Sequence, residues 1–76
     1  MQQWEYLFVI VDRDSGRWRP RYENDQELPD WYKGPTVSQY ANQRGEQGWE
    51  LISLIASTDR NGYIGDYQYV FKHPRS

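Results

Sequence analysis

Four arginines lie within nine positions near the start of the chain, beside two aromatic residues. Arginine side chains bind phosphates, and aromatic rings stack on nucleic-acid bases. One interpretation is therefore an anion or nucleic-acid contact surface. The other, which we favour, is an edge strand whose charges prevent it from pairing with other chains. The residues concerned are Arg13, Arg17, Arg19, Arg21, Trp18 and Tyr22.

Other residues that could do chemistry are isolated. His73 is the single histidine and the chain has no cysteine, so a metal site would need several carboxylates. Glu46 and Glu50 could act as an acid–base pair, but surface carboxylates of this kind are expected to be solvated. Three acids between residues 25 and 30 do not match a calcium-binding loop. We expect no catalytic residue, no metal site and no cofactor, and hence no enzyme.

The composition predicts one small domain, residues 1–76. The net charge of −2 argues against a general polyanion binder. No apolar run approaches the ~20 residues that a membrane span needs, and no signal-peptide pattern is present, so we expect a cytoplasmic protein without membrane contact. Four Trp, seven Tyr and two Phe are numerous for this length. We expect these rings to form most of the core.

Two strands and a loop are predicted in the first half of the chain. Residues 4–11 are apolar on both alternating sides, which is typical of a central strand. Residues 17–22 alternate, with three arginines on one side and Trp18 and Tyr22 on the other. Pro20 lacks a backbone donor, so this second strand should lie at an edge. Residues 23–33 are predicted to be an acidic loop, with one helical turn near residues 28–31.

A single helix is predicted to begin near Gly34-Pro35-Thr36 and to end at Gly48, which suits a left-handed helix stop. Val37, Tyr40, Ala41 and Arg44 would share its inner side. Gly45 also falls on that side, where its missing side chain would let the helix lie close to large rings.

Residues 49–57 and 64–73 predict a hairpin, because Asn61-Gly62 favours a tight turn. A two-residue turn places Leu54 opposite Tyr69 and Ile52 opposite Phe71. Cross-strand partners share a face. One side would then carry Ile52, Leu54, Ala56, Tyr67, Tyr69 and Phe71, and the other Leu51, Ser53, Ile55, Gln68, Val70 and Lys72.

These elements predict an α+β fold, a four-stranded antiparallel sheet ordered second-first-fourth-third with one helix on its ring-rich face. The reverse face would remain apolar and uncovered, which usually marks an interface. We expect a homodimer that packs sheet against sheet there. The alternative is a monomer whose acidic loop covers the same patch. The predicted self-association residues are Leu7, Val9, Val11, Leu51, Ile55 and Val70.

Three short pieces occur in a recognisable order: Trp-Glu-Tyr at residues 4–6, Gly-Glu-Gln-Gly-Trp-Glu-Leu-Ile-Ser at 45–53 and Tyr-Val-Phe-Lys-His-Pro at 69–74. Together they resemble the small bacterial and phage domain-of-unknown-function family 4177. The chain differs in having His73 where arginine is usual, and in a longer first connection. The resemblance implies a small α/β domain with no assigned activity, so it supplies no catalytic residues.

The sequence therefore predicts a small non-enzymatic module that self-associates and presents its loop to a protein partner. The alternative is a nucleic-acid-binding accessory protein that uses the arginine segment.

Overall fold

The computed structural model describes residues 1–58, 61–62 and 64–75. The described elements are β1 (Trp4–Asp14), β2 (Arg17–Glu23), β3 (Gln26–Glu27), a 3-10 turn (Trp31–Lys33), α1 (Val37–Glu46), β4 (Glu50–Thr58) and β5 (Ile64–Pro74). The fold is α+β, with an antiparallel sheet in the order β3-β2-β1-β5-β4. The four long strands follow the predicted order. The predicted count of four is wrong, because residues 26–27, expected in a loop, pair with β2.

The helix begins and ends where its capping residues predict. Thr36 accepts a hydrogen bond from the backbone N–H of Gln39, and the Gln39 side chain accepts one from the backbone of Thr36. At the other end, Gly48 has φ of +91°. The N–H of Trp49 donates to the carbonyl of Arg44, and the N–H of Gly48 to that of Gly45. This double hydrogen bond is the Schellman stop that glycine favours.

The pairing of the two central strands decides which side chains share a face. Leu7 lies opposite Phe71, Val9 opposite Tyr69, and Val11 opposite Tyr67. On β4, Leu54 pairs with Tyr69, as predicted, and Ala56 with Tyr67. Because cross-strand partners point the same way, the aliphatic side of β1 faces the same way as Tyr67, Tyr69 and Phe71.

The helix covers this aliphatic side. Val9 and Val11 are 0% exposed and Leu7 is 6% exposed, and they form the core with Tyr40 and Phe71. Val37 and Ala41 pack against that core, as the helix pattern predicted. The predicted self-association surface is therefore wrong for Leu7, Val9 and Val11, which their own chain buries. Of its other members, Leu51 and Ile55 are exposed and Val70 is half-buried.

The wrong assignment of the buried side of β1 has a simple physical cause. Both sides of β1 are apolar, so hydrophobic alternation could not decide which side faces the helix. A shift of one residue in the pairing of β1 with β5 exchanges the two sides completely. The acidic loop is not the cover either, since the described residues packed on the core come from the strands, from α1 and, at Trp49, from the connection between α1 and β4.

Two bulges account for further differences. In β2, Ile10 pairs with Tyr22 but Val11 pairs with Pro20, so Trp18 and Tyr22 do not share a face as predicted. In β4, Leu51 pairs with Phe71 and Ser53 with Val70, so Ile52 does not lie opposite Phe71. Leu51 consequently points to the helix side.

The remaining predictions concern Gly45 and the second turn. An added Cβ at Gly45 would meet nothing within 4 Å, so this glycine does not lie close to rings as expected. Gly62 has φ of +85°, but the predicted Asn61-Gly62 turn lies partly outside the described residues. Within the described part of the chain, no helix has the length and apolar character to cross a membrane.

Candidate functional site

The sheet face opposite α1 carries a row of aromatic and aliphatic side chains. Parity along β1 places every second residue from Trp4 to Ile10 on this side, together with their partners on β5 and β4. We call this surface the open face. Its apolar members are Trp4, Tyr6, Phe8, Ile10, Ile55 and Val70. Trp4, Tyr6, Phe8 and Ile55 are among the large apolar side chains that remain exposed.

Few charges interrupt the open face. Lys72 pairs with Tyr6 on one side and with Glu50 on the other, so a cation and an anion occupy adjacent positions of one row. The Lys72 ammonium nitrogen lies 4.4 Å from the centre of the Trp4 ring, a cation–π contact. The surface therefore combines apolar rings with one balanced pair of charges at this end. The pairing of Asp12 with Arg19 places a second pair of opposite charges on the same side, beyond Ile10.

The arginine segment is largely used within the chain. Arg21 donates to Asp12 Oδ2 at 2.8 Å and to Glu27 Oε2 at 2.9 Å. Its guanidinium also lies 4.9 Å from the Trp31 ring and 5.4 Å from that of Tyr22. The hydrogen bonds to Glu27 and then Asp12 raise the pKa of Arg21. These contacts fasten the acidic loop to the edge of the sheet.

The other members of the predicted anion surface do not converge. Arg19 donates to the backbone carbonyl of Gly34 and is half-buried. Trp18 packs edge-on against Tyr67, with ring centres 4.7 Å apart, on the core side. Arg13 and Arg17 are exposed. The arrangement matches the structural interpretation of this segment better than a row of arginines and rings facing one ligand.

A polar cluster that sequence reasoning missed joins β2 to α1. The Tyr40 hydroxyl donates to Glu23 Oε2, Arg44 Nη2 donates to the same oxygen, and Arg44 Nε lies 3.1 Å from the Tyr40 hydroxyl. Burial, followed by the hydrogen bond to Glu23, raises the pKa of Tyr40. The signal was Arg44 on the inner side of the helix, because a charged group there requires a partner.

The cluster forms one wall of a groove of about 380 Å³ between β2, the segment of residues 28–35 and α1. Most of the remaining lining is apolar, with Pro20, Leu28, Trp31 and Pro35 among its residues, and Gln43 adds one polar side chain. Glu23 and Arg44 neutralise each other, and Tyr40 remains protonated at neutral pH. The groove therefore presents apolar walls and a satisfied polar cluster.

The other candidate acids and the histidine lie apart. Glu46 and Glu50 are exposed. His73 is half-buried, with its ring centre 5.0 Å from that of Trp49 and its Nδ1 3.4 Å from a Glu5 carboxylate oxygen. His73 is thus less exposed than a residue at an unpacked end of a strand would be. No group of three or more potential metal ligands occurs among the described residues.

Because the pKa of the Tyr40 hydroxyl is raised, we expect the protein to lose stability at alkaline pH. Because its pKa is raised in the folded protein above the ordinary value of about 10, the unfolded chain loses this proton first as the pH rises. The free energy of unfolding should then fall by up to about 1.4 kcal/mol per pH unit above pH ~10, beyond the slope contributed by other groups. The measurement is urea unfolding at several alkaline pH values, compared with Tyr40→Phe.

The Tyr40→Phe variant should show a shallower slope over that interval, whatever its stability at neutral pH. Tyr69, whose pKa is also raised by burial, is present in both proteins and cancels in the comparison. Equal slopes in the two proteins would show that Tyr40 does not hold its proton in the folded state.

Comparison with known proteins adds no relative: no family model, no curated protein and no solved structure matches this chain. The resemblance to family 4177 therefore stays a prediction.

Proposed function

We propose that this protein is a self-associating module without catalytic activity, and that its open face packs against the open face of a second copy. The observation that carries this proposal is the row of exposed rings on a central strand, Trp4, Tyr6 and Phe8. Contiguous apolar surface of this kind usually marks an interface. The proposal keeps the predicted sheet-to-sheet dimer but transfers it to the other side of β1.

The accessible surface of the chain supports an interface of ordinary size. The chain exposes 5644 Å², whereas a compact monomer of 9.2 kDa is expected to expose roughly 4,900 Å². The excess of roughly 700 Å² is close to the ~800 Å² that each partner loses in a standard interface. A second copy could therefore cover the surface that the single helix leaves open.

The dimensions of the chain agree with this. Its extents are 44 × 27 × 19 Å. The shortest extent accommodates one sheet and one helix, since packed layers lie about 10 Å apart. Two copies that packed open face to open face would form a four-layer arrangement, helix–sheet–sheet–helix, with both sheets buried inside.

The charges at the open face favour a second copy of the chain over a nucleic acid as its partner. Lys72 and Glu50 lie in one row at the margin of the open face, so a two-fold axis can place the cation of each copy near the anion of the other. A nucleic acid would instead need several cations for its phosphates. Of the arginines near this sheet, Arg19 and Arg21 already have partners within the chain.

Two tyrosines of equal exposure provide the test. Tyr6, on the open face, is 48% exposed, and Tyr32, in the 3-10 turn, is 47% exposed. We expect Tyr6→Ser to weaken self-association about 30-fold, the effect of losing two symmetry-related aromatic contacts worth ~1 kcal/mol each. Tyr32→Ser should leave it unchanged. Sedimentation equilibrium over a wide range of protein concentration measures both.

A wild-type protein that remains at 9.2 kDa at every concentration would refute the proposal. So would equal effects of the two substitutions. A parallel titration with single-stranded oligonucleotide at low salt tests the alternative. Binding that Tyr6→Ser abolishes, without any self-association, would assign the open face to nucleic acid instead.

A further inference from the structure

β4 is an edge strand of unusual composition. It is the last strand of the described sheet, and from Leu51 to Ala56 it contains neither proline nor a charged residue. An edge strand presents unpaired backbone N–H and C=O groups, and proteins ordinarily protect such strands with lysine, proline or short length. We propose that β4 pairs antiparallel with β4 of a second copy and joins two sheets into one.

The opposite edge of the same sheet is protected against pairing with another chain. There the terminal strand β3 has two residues, and β2 beside it carries Pro20, several arginines and a bulge. Each of these features discourages pairing with another chain. The contrast indicates that this protein protects one edge against pairing and leaves the other free to pair.

Exposure on both sides of β4 distinguishes this interface from the open face. Leu51 and Leu54 point to the helix side, yet they are 44% and 53% exposed, so this side of β4 is only partly covered. Ile55 points to the open face and is also 53% exposed. A copy packed on the open face cannot reach Leu51 and Leu54. A copy added along the edge approaches both sides of the strand at once.

Symmetry fixes the arrangement of the two copies. Antiparallel pairing of a strand with itself requires a two-fold axis perpendicular to the sheet. Such an axis preserves the two faces, so both helices lie on the same side of the joined sheet. Leu51 and Leu54 of the two copies would then lie between the two helices, and the two open faces would form one continuous surface.

The same symmetry requires one residue of β4 to lie opposite itself. Partners in an antiparallel pair share a face, and consecutive residues of one strand do not. A residue of one copy therefore cannot lie opposite the residue that follows it in sequence in the other copy, because those two side chains point to different faces. Pairing with β5 is regular from Ser53 to Ser57, beyond the bulge at Ile52, so we place the axis within residues 53–57.

A cysteine scan tests this inference directly, because the chain has no cysteine of its own. Each residue from 53 to 57 is replaced singly by cysteine and incubated with oxidised glutathione. Facing Cα atoms in an antiparallel pair lie about 4.5–5.5 Å apart, within reach of a disulfide. We expect one position to give rapid covalent dimer and the others at least about 10-fold less. Gln26→Cys, on the protected edge, is the control.

The scan is repeated with Tyr6→Ser present, which weakens the proposed contact of the open faces. Cross-linking at the same single position should persist, because edge pairing does not use Tyr6. Cross-linking at no position, or equally at all five, would overturn the edge proposal. The result on the open face comes separately from the sedimentation of Tyr6→Ser and Tyr32→Ser, so either interface can fail without the other.

Leu54→Lys supplies a second measurement. It places a charge on the helix side of the edge, away from the open face, and should further weaken the self-association that remains in Tyr6→Ser. Gln26→Lys places the same charge on the opposite edge and should change nothing. A double variant Tyr6→Ser, Leu54→Lys that self-associates as tightly as Tyr6→Ser alone would contradict the assignment of β4.

Discussion

We expect Phe71→Ala to lower the free energy of unfolding by about 3–5 kcal/mol, enough to unfold much of a domain of this size. Phe71 is 2% exposed and lies on the central strand β5 between Leu7 and Leu51. Its ring meets that of Tyr40 edge-on at 6.1 Å, which joins the helix to the sheet. Alanine would remove this contact and leave a cavity that the small core cannot close.

The other phenylalanine of the chain is a matched control. Phe8 lies on β1, next to β5, but it is 45% exposed on the open face. Phe8→Ala should cost only about 1–2 kcal/mol in the monomer, because almost half of its surface is already exposed and no enclosed cavity is left. Urea unfolding at low protein concentration measures both variants. Equal losses would mean that the helix covers the other side of β1.

The identity of the elements could be predicted from local sequence. Thr36 caps the start of α1 and Gly48 ends the helix, as predicted. Pro20 lies on the part of β2 that β3 leaves unpaired, although β2 as a whole is not the edge strand that was predicted. In each case one residue has a conformational or hydrogen-bonding property that few alternatives share. Such local conformational and hydrogen-bonding preferences do not depend on the tertiary structure around them.

The covered face could not be predicted, because that decision is not local. Tyr6 and Phe8 offer larger apolar areas than Leu7 and Val9, and on area alone the rings should face the helix. The aliphatic side is buried instead, together with the ring of Phe71 from β5. The core thus takes its rings from β5 and α1 and its aliphatic part from β1, a division that alternation within each strand does not reveal.

The structural role of the arginine segment could be predicted from the sequence, although its individual contacts could not. The favoured interpretation gave these charges a structural role instead of a ligand, and Arg21 bonds to Glu27 within the chain. The bulge at Arg21 was not foreseen, because a bulge depends on pairing across two strands. Residue Glu23, at the end of β2, then reaches Tyr40 and Arg44 on the helix. That long-range contact joins a predicted loop boundary to a predicted helix.

The two glycines that flank the end of α1 should respond in opposite directions to alanine. Gly45 lies inside the helix, and a Cβ there would meet nothing within 4 Å. Gly45→Ala should therefore stabilise the protein by about 0.5–1 kcal/mol, since glycine loses more backbone entropy on folding. The measurement is the midpoint and slope of urea unfolding for each variant.

Gly48→Ala should destabilise by about 2 kcal/mol for two reasons. Its φ of +91° is unfavourable for any residue with a Cβ, and the left-handed region costs about 1–2 kcal/mol. An added Cβ would also lie 3.1 Å from His73 Nε2, so the imidazole, whose ring contacts that of Trp49, would have to shift slightly. Gly48→Asn should cost less than Gly48→Ala, because asparagine tolerates this backbone better. If alanine were equally harmless at both glycines, the Schellman stop would not hold the entry into β4, and the edge strand would not be fixed by the helix that precedes it.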